Sequence, residues 1–131
     1  MNRKAINPAP WSLQLGFNQG ELVEGSGRLL FCAGQVSVSE DGRPQHADDL
    51  RAQMGLAMDN LQAVLAGADM TLANVVRLTI YTTEIDEVFK NFDAILGRLD
   101  EFEVKPAQTL LGVARLALPH LKIEIEATAA A

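Results

Sequence analysis

The chain has 131 residues, of which 48% are hydrophobic and 21% charged, a size and balance that suit one compact domain over residues 1–131 and exclude a disordered chain. Seventeen acidic residues against eleven basic ones give a formal charge of -6, and no run of Lys or Arg gathers that could displace counterions from phosphates, so no nucleic acid is expected as a partner. No stretch approaches the ~18 apolar residues of a membrane span, and Pro8 and Pro10 break any signal-peptide run, so no membrane partner is expected and the expected compartment is cytoplasmic.

The first predicted elements are two strands over 20–25 and 28–33, joined by the turn Gly25-Ser26-Gly27 into an opening hairpin. A third extended piece over 36–39 ends at the turn 40–44. From Asp48 the period changes. Met54, Ala57, Met58, Leu61, Leu65 and Ala68 recur at three- and four-residue steps, which predicts a helix capped by Asp48 or Asp49 and ended by Gly67. The β-branched run 75–82 predicts a central strand. Thr83 opens a second helix with Asp86 and Glu87 in its first turn and Phe89, Phe92, Leu96 and Leu99 on its buried face. Two more strands follow over 108–114 and 121–128, the last alternating Ile123 and Ile125 against Glu124 and Glu126. This order predicts an α+β, two-layer fold, a mixed β-sheet with two helices on one face, and it leaves the other face in need of cover.

Several residue patterns carry no chemistry. Gly25-Ser26-Gly27 lacks the third glycine and the following helix of a dinucleotide loop, and no phosphate-binding Gly-Lys-Thr/Ser occurs, so no cofactor is expected. His46 and His120 lack the spacing of a metal cluster, and no metal is expected. Cys32, the one cysteine, lies in an apolar run and reads as a buried, inert thiol that suits a reducing compartment. Met54 and Met58 belong to the helix stripe and read as core, while Trp11 reads equally as an anchor of the N-terminal segment against a neighbour or as a lone exposed tryptophan.

The C-terminal quarter is more specific. Lys105-Pro106-Ala107-Gln108-Thr109 leads into Gly112-Val113-Ala114-Arg115-Leu116, then Pro119, then Ile123-Glu124-Ile125-Glu126-Ala127. With Leu29-Leu30-Phe31-Cys32-Ala33-Gly34-Gln35, Leu61-x-x-Val64-Leu65 and Thr79-Ile80-Tyr81, it resembles the Rid/YjgF family of reactive-intermediate imine deaminases, also described as endoribonuclease L-PSP-like. The resemblance implies a chorismate-mutase-like fold, a homotrimer with pockets at its subunit interfaces, a small-molecule substrate and no cofactor. It also implies hydrolytic deamination of imines or enamines such as 2-iminobutanoate and 2-iminopropanoate. By the same resemblance Glu124 handles the attacking water, backbone groups near Gly34 position the imine, and Phe17 stands where the family has a tyrosine, although Trp11-Ser12-Leu13-Gln14 competes for that alignment. A family asparagine falls at Asn91 or Phe92.

The departure is Gln108, which stands where deaminating members carry an arginine that holds the substrate carboxylate. Charge-assisted hydrogen bonds contribute about 1.5–3 kcal/mol against about 0.5–1.5 kcal/mol for neutral ones, so glutamine should hold a 2-imino acid less tightly. Arg115 lies an odd number of residues further on, and strand alternation points it to the opposite face. The same alternation groups Gln108 with Leu110, Gly112 and Ala114, whose small members leave room for a ligand recognised through neutral hydrogen bonds. Two other readings stay open: a non-catalytic trimer that binds a small metabolite, and a deaminase of an amino-muconate-like intermediate.

Overall fold

The β-branched run forms strand β4 (Val75–Thr82), an interior strand of the main sheet, in the computed structural model, which describes residues 1–131. The sheet order is β3 (Leu29–Gln35), β6 (Ile123–Ala130), β4 and β5 (Ala107–Gly112). β6 runs antiparallel to both β3 and β4, whereas β4 and β5 are parallel, so the sheet is mixed. Parallel neighbours need a crossover. Here it is made by helices α2 (Ile85–Lys90) and α3 (Asp93–Glu101).

Alternation sorts the two sheet faces. Leu78, Ile80, Ile123, Ile125 and Ala127 turn inward and join the apolar stripe of helix α1 (Leu50–Gly67) in one core. Met54, Ala57, Met58, Leu61 and Leu65 of that stripe are fully enclosed, and burial of each large side chain contributes about 1.5–3 kcal/mol. Asp49 caps α1, its side chain accepting from the Ala52 backbone N–H at 3.0 Å. The opposite face carries Arg77, Thr79, Tyr81, Glu124, Glu126 and Thr128 with no second layer over it, and Phe31 there is 75% exposed.

One buried polar residue joins two loops to the core. Gln53 of α1 is wholly enclosed; its Nε2 donates to the carbonyls of His46 (3.1 Å) and His120 (2.9 Å), and its Oε1 accepts from the Lys122 N–H (2.8 Å). Both histidines have positive φ, so the amide holds two tight turns, one before α1 and one before β6.

The structure corrects four expectations. The opening hairpin does not form: strand β2 (Gly20–Glu24) pairs with β1 (Asn2–Ile6) in a separate two-stranded sheet, and β3 pairs with β6. Residues 36–39 make only an isolated bridge, Val38 to Pro44. The second helix breaks at Asn91–Phe92 into α2 and α3, which turns Phe89 out to 63% exposure while Val88, Ile95 and Leu99 fill the core. Strand β5 stops at Gly112, where a side chain would meet Ile85 Cγ1 at 3.0 Å, so the room expected beside this glycine is already filled.

Candidate functional site

A cavity of about 360 Å³ forms at the Gln108 end of β5, lined by Gln14, Leu15, Phe17, Phe89, Phe92, Leu96, Gln108 and Leu110. Two local devices build it. Asn18 lies beside Ala107 in parallel register and donates its backbone N–H to the Lys105 carbonyl at 3.2 Å, which sets Phe17 next to Gln108. The 3-10 turn Pro10–Leu15 ends at Gly16, whose φ of 84° and close approach to α3 exclude a side chain; a Cβ there would lie 2.7 Å from Leu96 Cδ2. Gln14 and Leu15 are thereby laid over the cavity, and Trp11 meets Phe17 edge-on with ring centroids 5.8 Å apart. The side-chain oxygen of Gln108 is buried and has no hydrogen-bond partner within the chain.

Asn91 is not in this cavity. It follows the last turn of α2, its Nδ2 donating to the Glu87 carbonyl at 2.9 Å and its Oδ1 accepting from Arg51 at 3.4 Å, and it lines a separate cleft of mixed charge with Asp48, Asp49, Glu84, Glu87, Arg51 and Lys122. Of the two candidates for the family asparagine, Phe92 is the one beside Gln108. Arg51 and Asp93 pair beside that cleft at 2.7 Å, and the hydrogen bond from Arg51 holds the Asp93 carboxyl below its ordinary range.

Glu124 stands on the uncovered sheet face, opposite Tyr81 in the β4–β6 register. A bulge between Cys32 and Gln35 brings Gly34 directly beneath it, so close that a Cβ on Gly34 would lie 2.0 Å from Glu124 Oε1. Glu126 accepts from the Tyr81 hydroxyl at 2.5 Å, and that hydrogen bond raises the Tyr81 phenol above its ordinary pKa. Arg115, exposed beyond the end of β5, lines a shallow depression with Tyr81, Glu124 and Glu126 and so lies on the side away from Gln108. Burial raises the Cys32 thiol above its ordinary pKa and keeps it protonated.

Gly34 is where the geometry can be tested most cheaply. The atoms it would displace are Oε1, Cδ and Cγ of one flexible side chain and no backbone, so Gly34→Ala is expected to turn the whole Glu124 side chain aside at a cost of about 1 kcal/mol in stability. Any catalytic step that depends on Glu124 should then fall at least about tenfold. A urea midpoint beside a kcat separates the two effects.

The expected site residues thus form two groups. Gln108, Leu110 and Phe17 line the cavity beside the helices, while Glu124 and Gly34 meet on the open face. The registers explain why. Gln108 pairs with inward-facing Leu78, and Glu124 pairs with outward-facing Tyr81, so one copy of the chain directs them to opposite sides of its sheet. Gln14, Leu15, Phe89 and Leu96 also wall the cavity. The Phe89, Phe92, Leu96 spacing is visible in sequence, but a cavity wall and a core face share that helical period.

A family model described as endoribonuclease L-PSP matches residues 14–131. The chain belongs to the Rid/YjgF family. Among its Rid/YjgF relatives, the RutC family protein YjgH of Escherichia coli (strain K12) is 34% identical over 100 residues, covering 76% of this chain and 75% of the relative. The crystal structure of the Rid family protein YyfB from Yersinia pestis has a TM-score of 0.84 at 40% identity, with 100% of both chains covered. The 2-iminobutanoate/2-iminopropanoate deaminase of Escherichia coli (strain K12) is 27% identical over 117 residues, covering 84% of this chain and 87% of the enzyme. In this Rid/YjgF chain no three His, Cys, Asp or Glu side chains are grouped so as to hold a metal ion, and no helix is long and apolar enough to cross a membrane.

Proposed function

We propose that the protein is a hydrolytic deaminase of small imines or enamines, acting as a homotrimer in which the Gln108 cavity of one copy is completed by the Glu124 face of the next. The observation that carries this reading is the opposed placement of the two residues. Glu124 is held over Gly34 on a sheet face that nothing covers, while Gln108 lines a cavity on the other side, so a joint site needs a second copy. Leu15, Phe31, Phe89 and Leu111 are exposed apolar side chains that such contacts would cover.

In this site Gln108 orients the substrate through its amide and the aromatic walls exclude water from the hydrocarbon part. Glu124 takes a proton from water as the oxygen adds to the imine carbon. The nitrogen is then protonated, the C–N bond breaks, ammonia leaves and the carbonyl forms, so that one imine and one water become one carbonyl compound and one ammonia. A carboxylate is suited to accept the proton and return it to the leaving nitrogen.

Subunit mixing tests the arrangement. Glu124→Ala and Gln108→Glu, each expected to be inactive alone, should regain activity when unfolded together and refolded, because about a quarter of randomly assembled interfacial sites would then hold both native residues. Light scattering on the same samples should give three chains per particle. A monomer at micromolar concentration, or no recovery on mixing, removes the interfacial site. The non-catalytic reading is favoured by one observation, that no cation lines the Gln108 cavity.

A further inference from the structure

Phe17, Phe89, Phe92, Leu96 and Leu110 wall the Gln108 cavity, and no acidic or basic side chain lines it. The basic groups on the surrounding helices are already engaged: Lys90 with Glu87 at 3.2 Å, Arg51 with Asp93 at 2.7 Å and Arg98 with Asp59 at 2.5 Å. A carboxylate placed here would give up its hydration and meet no countercharge from this copy. The Gln108 oxygen is shut off from solvent and has no donor, a costly state for a buried carbonyl, so a turn of the side chain that brings the oxygen to a ligand donor in the cavity is favoured.

We propose that the substrate of this site is an uncharged imine or enamine with a hydrophobic, ring-sized body and no carboxylate beside the reacting carbon, its polar end hydrogen-bonded to the Gln108 amide. This rests on the deaminase reading above and narrows it to one class. The cavity, about 360 Å³, is within the range of roughly 300–1,000 Å³ usual for small ligands. An amide presents one acceptor and two donors, which match an imine N–H, an enamine amino group or a carboxamide and do not neutralise an anion. The chemistry is hydrolysis: the C=N bond is exchanged for C=O, with water consumed, ammonia released and no change of oxidation state. An enamine enters the same course once its carbon is protonated to the imine.

Two measurements on the full chain test the assignment separately from turnover. The first is binding of phenylacetamide and phenylacetate, a neutral and an anionic ligand of the same shape. It is followed by the fluorescence of Trp11, the one tryptophan, which touches the cavity through Phe17. The wild type should bind the amide at least about tenfold more tightly, and Gln108→Arg should reverse the order. The second is hydrolysis of the uncharged imine formed in situ from 2-phenylethylamine by an amine oxidase, against the 2-imino acid formed from phenylalanine by an amino-acid oxidase. Its kcat/KM ratio should favour the uncharged imine by about tenfold or more.

A wild type that binds or hydrolyses the anionic member equally well overturns the proposal. So does an anion preference that disappears in Arg115→Gln, since the cation would then come from a neighbour's sheet face. A binding preference without turnover upholds the ligand class and removes the deaminase reading. Turnover without preference does the reverse, and a protein that neither binds nor hydrolyses any of the four loses both.

Discussion

Glu124→Gln is expected to lower kcat for the proposed imine hydrolysis by about 10²- to 10⁴-fold, the usual loss when a positioned general acid–base group is removed. Glutamine keeps the size and shape of the side chain over Gly34 but has no proton affinity near neutrality, so the position stays filled while the proton acceptor is gone. KM should change little, because the cavity walls belong to other residues. Glu126→Gln is the informative companion. Its carboxylate is already bonded to the Tyr81 hydroxyl, so that variant should keep kcat within a few fold. Steady-state rates at fixed enzyme concentration, with light scattering to show an unchanged assembly, check the pair. If Glu124→Gln retained more than half of the wild-type rate, or if Glu126→Gln were the worse of the two, water activation would have to be assigned elsewhere.

Gln53→Leu is expected to have the largest effect on stability, roughly 3–5 kcal/mol. Leucine nearly matches the volume of glutamine but satisfies none of its three partners, so the His46 and His120 carbonyls and the Lys122 N–H lose their bonds at once. Against a total of about 5–15 kcal/mol for a domain this is a large fraction, and a fall of about 10–20 °C in Tm should follow. Gln53→Glu is a sharper form of the test, because a buried carboxylate could still accept from Lys122 but not donate to the two carbonyls. Chemical denaturation at one fixed protein concentration measures both, since the proposed assembly would make the midpoint concentration-dependent. A loss below about 1 kcal/mol for Gln53→Leu would mean that the loops hold their turns without the amide.

Periodicity located α1, β4 and β6 because each has one buried face that its own spacing displays. It could not tell which strands pair. β2 and β3 look like a hairpin because they are adjacent in sequence, yet each finds a partner elsewhere, and partner choice depends on surfaces many residues apart. β1 has almost no apolar pattern to read. Arg3 instead ties it to the rest of the chain, bonding Glu21 at 3.0 Å and the carbonyls of Ala73, at 2.7 Å, and Val75.

The site was partly legible for a similar reason. Gln108 and Glu124 sit in a recognisable motif, but strand parity has no hold on Arg115, because β5 ends at Gly112 and Arg115 reaches the far side of the sheet from the segment beyond it. Parity could have shown that Gln108 and Glu124 face opposite ways, but only with the register between strands known. Asn91 and Phe92 lie at the break between α2 and α3, and neighbouring residues on a helix point about a third of a turn apart, so an alignment uncertain by one residue cannot choose between them.

Strand β6 leaves the ribosome after every other strand, yet it occupies the interior of the sheet between β3 and β4. Until residues 123–130 have been made, β3 and β4 have no common neighbour and the apolar stripe of α1 has only part of its floor. Pairings such as Leu29 with Ala130 close a loop of about three-quarters of the chain, the kind of contact that slows folding most. The nascent protein therefore waits with its stickiest surfaces open, and its cellular yield should depend more on chaperone supply and growth temperature during synthesis than on the stability of the finished fold.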